Sequence, residues 1–202
     1  MAMPFDQDAH GGAGALDEAS DEALLVLFAN GDAEAARDLT ARLVPVIMAH
    51  AYRLLGNRAE AEDVTQEALM RLWKIAPDWR QGEAKVTTWL YRVTANLATD
   101  RLRGRKRSGP PLDEVAEPVD ATPGMEARLQ TRARAEALQG ALGDLPERQR
   151  QAVVLRHIEG LANPEIAAIM EISTEAVESL IARGKRALSQ ALGGRRDELG
   201  LD

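Results

Sequence analysis

Thr88, Arg92, Asn96, Thr99 and Arg103 recur at steps of three and four along the stretch TTWLYRVTANLATDRLRGRKR, residues 87–107. On a helix that spacing places hydrogen-bonding side chains and cations on one face, with no carboxylate among them. Between Lys85 and Arg107, seven basic residues (Lys85, Arg92, Arg101, Arg103, Arg105, Lys106 and Arg107) stand against one acid, Asp100, in a chain of net charge −7. The chemistry of such a face is phosphate binding, and Trp89 and Tyr91 add flat surfaces on which an unstacked base can lie. Basic side chains also gather at helix ends to meet the helix dipole, and tryptophan at helical spacing is often core, so the stretch alone leaves both readings open.

Two further clusters invite a chemical reading. Glu60, Glu62, Asp63, Gln66 and Glu67 crowd the outer side of the stretch 58–76. Glu60 and Glu62 lie where a carboxylate favours the start of a helix; Asp63, Gln66 and Glu67 lie further in, where that gain fades, and suit docking against a basic partner. A bundle metal site needs Glu-x-x-His pairs on facing helices. No histidine follows at that spacing, so neither a metal nor a catalytic acid–base role is expected. Near the C-terminus, Arg183, Lys185, Arg186, Arg195 and Arg196 gather on and just beyond a helical stretch, a second basic surface for a polyanion.

The elements that must position these groups are helices. The 202-residue chain is 45% hydrophobic but only 3% aromatic; alanine and leucine dominate and no alternating strand pattern occurs, so it reads as all-α. Its length fits one domain or two small ones. There is no cysteine, which excludes disulfides, thiolate zinc sites and cysteine nucleophiles. His10, His50 and His157 have no ligand spacing and read as surface or packing residues; no metal and no cofactor is expected. No apolar run approaches a membrane span and the acidic start lacks the basic residues of a signal peptide, so the expected location is cytoplasmic.

In chain order, Met1 to Ala19 is glycine-rich and acidic and reads as a disordered extension. Ser20 caps a short helix through Ala29, Asn30 and Gly31 end it, and Asp32 caps a second helix from about Ala33 to Leu55. Leu39, Leu43, Val46, Ile47, Ala51 and Leu54 point inward, and Pro45 is expected to kink or break this helix. A third helix, Arg58 to Ala76, buries Val64, Ala68, Leu69, Leu72 and Trp73. Pro77 to Ala84 is a loop carrying Trp79 and Arg80 that leads into the basic helix, whose inner stripe is Val86, Leu90, Val93 and Leu97. An aromatic there suits a flipped base, or simply covers the core. Ser108 to Met125 holds four prolines and four acids without a lysine or arginine and is a linker whose reach is roughly 60 Å.

Beyond the linker, one helix begins near Glu126 and breaks at Gly143 and Asp144; another starts at Leu145-Pro146-Glu147 and ends at Gly160. In ANPEIAAIMEISTEAVESLIARGKRAL, Asn163 caps a short helix ending near Met170, and Ser173 or Thr174 caps a longer one carrying Val177, Leu180, Ile181 and Leu188 inward. Two helices joined by so tight a turn describe a helix-turn-helix. An ordinary helical hairpin shares the pattern, but the neighbouring cations favour DNA.

Three stretches, AEDVTQEALMRLWK (61–74), TTWLYRVTANLATDRLR (87–103) and LPERQRQAVVLRHIEGLANPEIAAIMEISTEAVESLIARGKRAL (145–188), in this order around an acidic linker, resemble the extracytoplasmic-function sigma factors of bacterial RNA polymerase. The resemblance runs from Ser20 to about Leu192. It implies an all-α fold of two small helical domains, a sigma-2-like bundle and a sigma-4-like helix-turn-helix domain, joined by the flexible acidic linker. It divides the chain into an extension (1–19), a region 2 domain (20–107), the linker (108–125), a region 4 domain (126–194) and a tail (195–202). It implies that Asp63, Gln66, Glu67 and Met70 dock on the coiled coil of the polymerase β′ subunit. Trp79, Lys85, Thr88, Trp89, Arg92, Asn96, Arg103 and Lys106 would open and hold the minus-ten element, with Arg92, Asn96 and Arg103 leading. Ser173, Thr174, Glu175, Glu178, Ser179, Arg183, Lys185 and Arg186 would read the minus-thirty-five element in the major groove. The implied partners are core RNA polymerase, through its β′ coiled coil and β flap, promoter DNA and an anti-sigma factor. The implied state is a monomer or a heterodimer with the anti-sigma factor, serving transcription initiation in a stress response, without cofactor, enzymatic activity or membrane insertion.

Some residues depart from the family pattern. Glu171 stands in the turn where the family usually has glycine, so either it takes left-handed backbone at roughly 1 kcal/mol or the turn has another shape. Glu178 and Leu180 stand where many relatives place lysine and arginine; a carboxylate is unfavourable near phosphate but accepts from a cytosine amino group. The competing function is a stand-alone helix-turn-helix repressor or activator, which binds a two-fold symmetric operator without polymerase and leaves the basic helix without a purpose. A helical enzyme needs a convergent set of catalytic groups, which the sequence does not offer. The arrangement of the two domains stays open; one possibility is that they fold together and hide both DNA-binding faces, with the acidic linker over the basic helix.

Overall fold

A computed structural model describes residues 19–80, 82, 85–108 and 125–193, without side chains at 106–108 and 125–129. Ser20 starts the first helix: its Oγ accepts from the Ala23 amide at 3.2 Å, and α1 spans Asp21–Ala29. Asp32 accepts from the amides of Glu34 and Ala35 at 2.9 and 3.2 Å and so opens α2, Ala33–Leu55. Gly56, in the left-handed region at φ 69°, stops α2, and Asn57 at once caps α3, Arg58–Ile75, by accepting from the Glu60 amide at 2.8 Å. This corner folds α3 back along α2. A 3-10 turn, Ala76–Asp78, closes α3, and α4 runs over Val86–Ser108. The second group of helices is α5 (Met125–Gly143), α6 (Glu147–His157), α7 (Asn163–Met170) and α8 (Thr174–Gly193).

The apolar stripes meet around α2, which packs against α1, α3 and α4. Leu24 and Leu25 of α1, Leu39, Leu43 and Ile47 of α2, Leu72 of α3 and Leu90 of α4 are fully buried, each contributing about 1.5–3 kcal/mol. This core continues into the second group, where Leu155 of α6, Ile166 and Met170 of α7 and Val177 of α8 belong to the same cluster. The second group also has a small core of its own, Leu142, Leu145, Val153 and Val154. At its closest helix contact is Gly184 of α8, where a Cβ would lie 2.6 Å from Val153 Cγ2.

Several expectations are corrected here. Val46 is 39% exposed, because it falls one step off the stripe that Leu43 and Ile47 define. Pro45 does not break α2; the amide it lacks would have served Ala41, an exposed residue whose carbonyl water can reach. Trp73 is half-buried rather than buried, its ring 4.7 Å from that of Phe28. Asn163 is the first residue of α7, not its cap: the preceding Ala162 amide is taken by the Glu165 carboxylate at 2.9 Å. Ser108 belongs to α4 and Met125 to α5, so neither is linker, and α3 ends at Ile75. The extension through residue 18, the linker over 109–124 and the tail from residue 194 lie outside the described residues; Ala19 is held by Arg42, which donates to its carbonyl at 2.6 Å.

Candidate nucleic-acid interface

The apolar stripe of α4 sets the orientation of its basic side. With Val86 and Leu90 buried and Val93 and Leu97 half-buried, Asn96 and Arg103 are exposed and Thr88, Trp89 and Arg92 lie at the edge of the core, half-buried. Trp89 meets Trp79 edge to face, with ring centroids 6.3 Å apart. Both rings pack on the shared core, and the Trp79 indole Nε1 is buried with no hydrogen-bond partner among the described residues. The two tryptophans thus shore up one another, and Trp89 is neither plain core nor an open platform. Lys85 is exposed at the start of α4; the side chain of Lys106 lies outside the described residues.

A residue the sequence did not single out fixes where α4 begins. Glu22, on α1, accepts from the Val86 amide at 3.0 Å, filling the place of an N-cap from 64 residues away in the chain. Burial works against its ionisation, yet the Val86 amide, with Ser20 and the nearby Lys85, holds its carboxyl below the ordinary value. Glu22 also lies in the first turn of α1, where a carboxylate favours its own helix.

Among the described side chains, two of these cations are engaged within the first group. Arg101 pairs with Asp63 at 3.0 Å, and Arg105 donates to Glu60 at 2.7 Å. Two others meet the second group: Lys85 Nζ lies 3.4 Å from Glu165, and Arg92 Nη1 lies 4.0 Å from Glu171. Apart from Arg105–Glu60, which is half-buried, these pairs are largely exposed, so each is worth at most about 1 kcal/mol.

On α3, Asp63, Gln66 and Met70 are exposed and Glu67 is half-buried, paired with Arg71 at 2.8 Å. Their spacing puts them on one side of the helix, and Met70, at 58% exposure, is the apolar centre of an otherwise polar stripe. Such a stripe suits a protein partner better than a nucleic acid.

The helix-turn-helix is formed by α7 and α8. Glu171 does adopt left-handed backbone, at φ 53°, so the turn keeps its shape without glycine. Ser173 Oγ then caps α8 by accepting from the Ala176 amide at 3.3 Å. With Val177 buried and Leu180 half-buried, Ser173, Glu175, Glu178, Ser179, Arg183 and Arg186 are exposed and Thr174 is half-buried. The Asn163 amide lies 3.5 Å from Glu178, at the first turns of the helix. Lys185 is placed differently: it borders an apolar groove of about 610 Å³ lined by Leu138, Leu142, Val153, Ile158 and Leu188. His157 borders the same groove and is held below its ordinary pKa by burial, with Lys185 and Arg156 adding to the effect.

Comparison with known proteins follows the same division. The family Sigma-70 region 2 matches residues 39–108, and the family Sigma-70, region 4 matches residues 135–188. The ECF RNA polymerase sigma factor SigE of Mycolicibacterium smegmatis is 36% identical over 73% of this chain, which spans 58% of that protein's length. The RNA polymerase sigma-H factor of Pseudomonas aeruginosa is 31% identical over 88% of this chain and 96% of its own. Among solved structures, CnrH in complex with the cytosolic domain of CnrY superposes with a TM-score of 0.64 at 27% identity, covering 86% of this chain and 97% of that one.

Proposed function

The chain belongs to the extracytoplasmic-function RNA polymerase sigma factors, and on that premise we propose that it joins core RNA polymerase, directs it to particular promoters and opens their minus-ten element for initiation. One observation carries this reading beyond a DNA-binding module. The exposed stripe Asp63, Gln66 and Met70 on α3 shares a helical group with the basic α4, and α8 of the second group presents its own polar and basic face. A repressor has use for the last of these; an initiation factor has use for all three.

In this assignment α3 docks on the β′ coiled coil through Asp63, Gln66, Glu67 and Met70. Arg101 leaves Asp63 when a partner's cation replaces it. The α4 side bearing Lys85, Thr88, Arg92, Asn96, Arg103 and Lys106 follows the non-template strand, and the Trp79–Trp89 pair stands beside an unstacked base. Ser173 to Arg186 of α8 enter the major groove at the minus-thirty-five element, with Glu178 suited to a cytosine amino group. The groove between α5, α6 and α8 accepts an apolar helix, which we assign to the β flap. Residues 20–108 and 125–193 act as the region 2 and region 4 domains. Nucleotide joining belongs to core polymerase, and the factor's work is placed in the cytoplasm with it; no helix among the described residues is long and apolar enough to cross a membrane. An anti-sigma protein partner is proposed from family membership.

Reconstitution tests the whole. Core polymerase with the purified chain, given a library of duplex promoters, is expected to yield specific transcripts that core alone does not produce. No specific initiation with active core, together with a two-fold symmetric footprint by the free protein, overturns the reading in favour of a stand-alone regulator.

A further inference from the structure

The outer face of α8 begins with acids and continues with cations. Glu175, Glu178 and Ser179 are exposed in its first turns, and Arg183 and Arg186 are exposed further along. The two carboxylates are engaged differently. Glu175 turns back on the start of its own helix, where its own amide and Ser173 hold its carboxyl below the ordinary value. Glu178 reaches sideways instead: its Oε1 lies 3.5 Å from Nδ2 of Asn163, on the neighbouring α7.

The fold builds this contact. Ile166 and Met170 of α7 and Val177 of α8 share one core, which fixes the two helices against each other. Glu165 accepts from the Ala162 amide at 2.9 Å and so holds the start of α7, where Asn163 is the first residue. The amide group faces Glu178 through its nitrogen, because its oxygen would oppose the carboxylate. That orientation leaves Asn163 Oδ1 buried with no hydrogen-bond partner among the described residues. A buried acceptor without a partner is unfavourable; what the arrangement gains is a carboxylate held in one place. A freely moving glutamate would lose both water and rotamer freedom on docking to DNA. Asn163 restricts it and compensates one oxygen through a neutral donor, so the charge is kept and the second oxygen is left to meet a base edge.

An ionised carboxylate only accepts hydrogen bonds. In the major groove guanine presents two acceptors, thymine an acceptor and a methyl group, and adenine an acceptor beside its amino group; cytosine alone presents a donor without an acceptor next to it. We propose that Asn163 and Glu178 form one base-reading unit, in which Asn163 fixes the Glu178 carboxylate so that it accepts from a cytosine amino group, and that the minus-thirty-five element therefore carries cytosine at the base pair facing the first turns of α8. The inference rests on the assignment of α8 to the major groove. It makes Glu178 a specificity-determining residue and Asn163 its positioning residue.

The test uses core polymerase with the full chain and duplex promoters whose minus-thirty-five element is randomised, and sequencing of the transcribed templates gives the preference at each position. The unchanged protein should favour cytosine over guanine at one position by roughly tenfold or more. Glu178→Lys should reverse that preference to guanine, whose O6 and N7 accept from a cation, and Glu178→Gln should move it towards adenine. The other positions should keep their preferences, and since Glu178 is exposed, its variants should melt as the unchanged protein does. Asn163→Asp, equal in size but without the donor, should lower the cytosine-to-guanine ratio by roughly three- to tenfold, and Asn163→Gln should restore part of it; a merely structural role for Asn163 would weaken all positions alike. An unchanged preference in Glu178→Lys, or a gain shared equally by every sequence, overturns the inference and leaves α8 in the groove. Selection of another base through Glu178 overturns the reading of cytosine, and a ratio that Asn163→Asp leaves unaltered overturns the positioning role. Specific initiation with no preferred base anywhere in the minus-thirty-five element means that the major-groove assignment of α8 has failed, and the inference with it.

Discussion

Gly184→Ala is a substitution whose sign the packing reverses. Inside a helix alanine is better than glycine by about 1 kcal/mol, and at the exposed Gly140 of α5, where an added Cβ meets nothing within 4 Å, that gain should be realised. At Gly184 the added Cβ would lie 2.6 Å from Val153 Cγ2 and 3.3 Å from the Gln149 carbonyl oxygen. Val153 is β-branched and 3% exposed, so it has little freedom to turn away, and the carbonyl is part of α6 itself. Overpacking of this kind costs about 1–3 kcal/mol, and so close an approach belongs at the upper end. Less the helix gain, Gly184→Ala should destabilise by about 2 kcal/mol and lower the melting midpoint by roughly 4–8 °C, while Gly140→Ala leaves it level or raises it. Val153→Ala makes room, so the double variant should be more stable than the two single changes predict, by about 1–2 kcal/mol. Urea and thermal unfolding followed by circular dichroism read all four proteins. Equal effects at Gly140 and Gly184, or strict additivity with Val153→Ala, would refute the packing argument.

Two other outcomes follow from the same structure. His50 is held below its ordinary pKa of 6.5 by burial, so the unfolded chain binds more protons there. The stability contributed by the neutral ring should be present above about pH 6.5 and lost as pH falls below it; His50→Gln should lessen this dependence in melting curves, and His157, shifted the same way, should supply the remainder. Arg103→Ala and Lys106→Ala should weaken open-complex formation and reduce the slope of log affinity against log salt by about 0.7–0.9 for each phosphate that is no longer neutralised; an unchanged slope means that neither side chain touches phosphate.

The helices were legible because their signals are local. Ser20, Asp32 and Ser173 cap the helices that follow them, through bonds spanning two or three residues, and steps of three and four marked most of the buried stripes. Errors came at stripe edges, as with Val46, where one residue of helical rotation decides exposure. The polar faces of α3, α4 and α8 were legible for the same reason, as whatever the apolar stripe does not use must face outward or meet a partner.

By itself, the sequence determined the helical class, the helix limits to within two or three residues, and the separation of an exposed polar stripe, a basic helix and a helix-turn-helix. Only the tertiary structure decided how these parts meet. Glu22 caps α4 from α1, Lys185 borders the apolar groove, and Glu159 joins His50, Arg53 and Tyr91 across the interface. Such contacts join residues 64 to 109 positions apart. They depend on how two folded surfaces fit, a property with no period along the chain, and buried charge reveals its partners only once the surfaces are together.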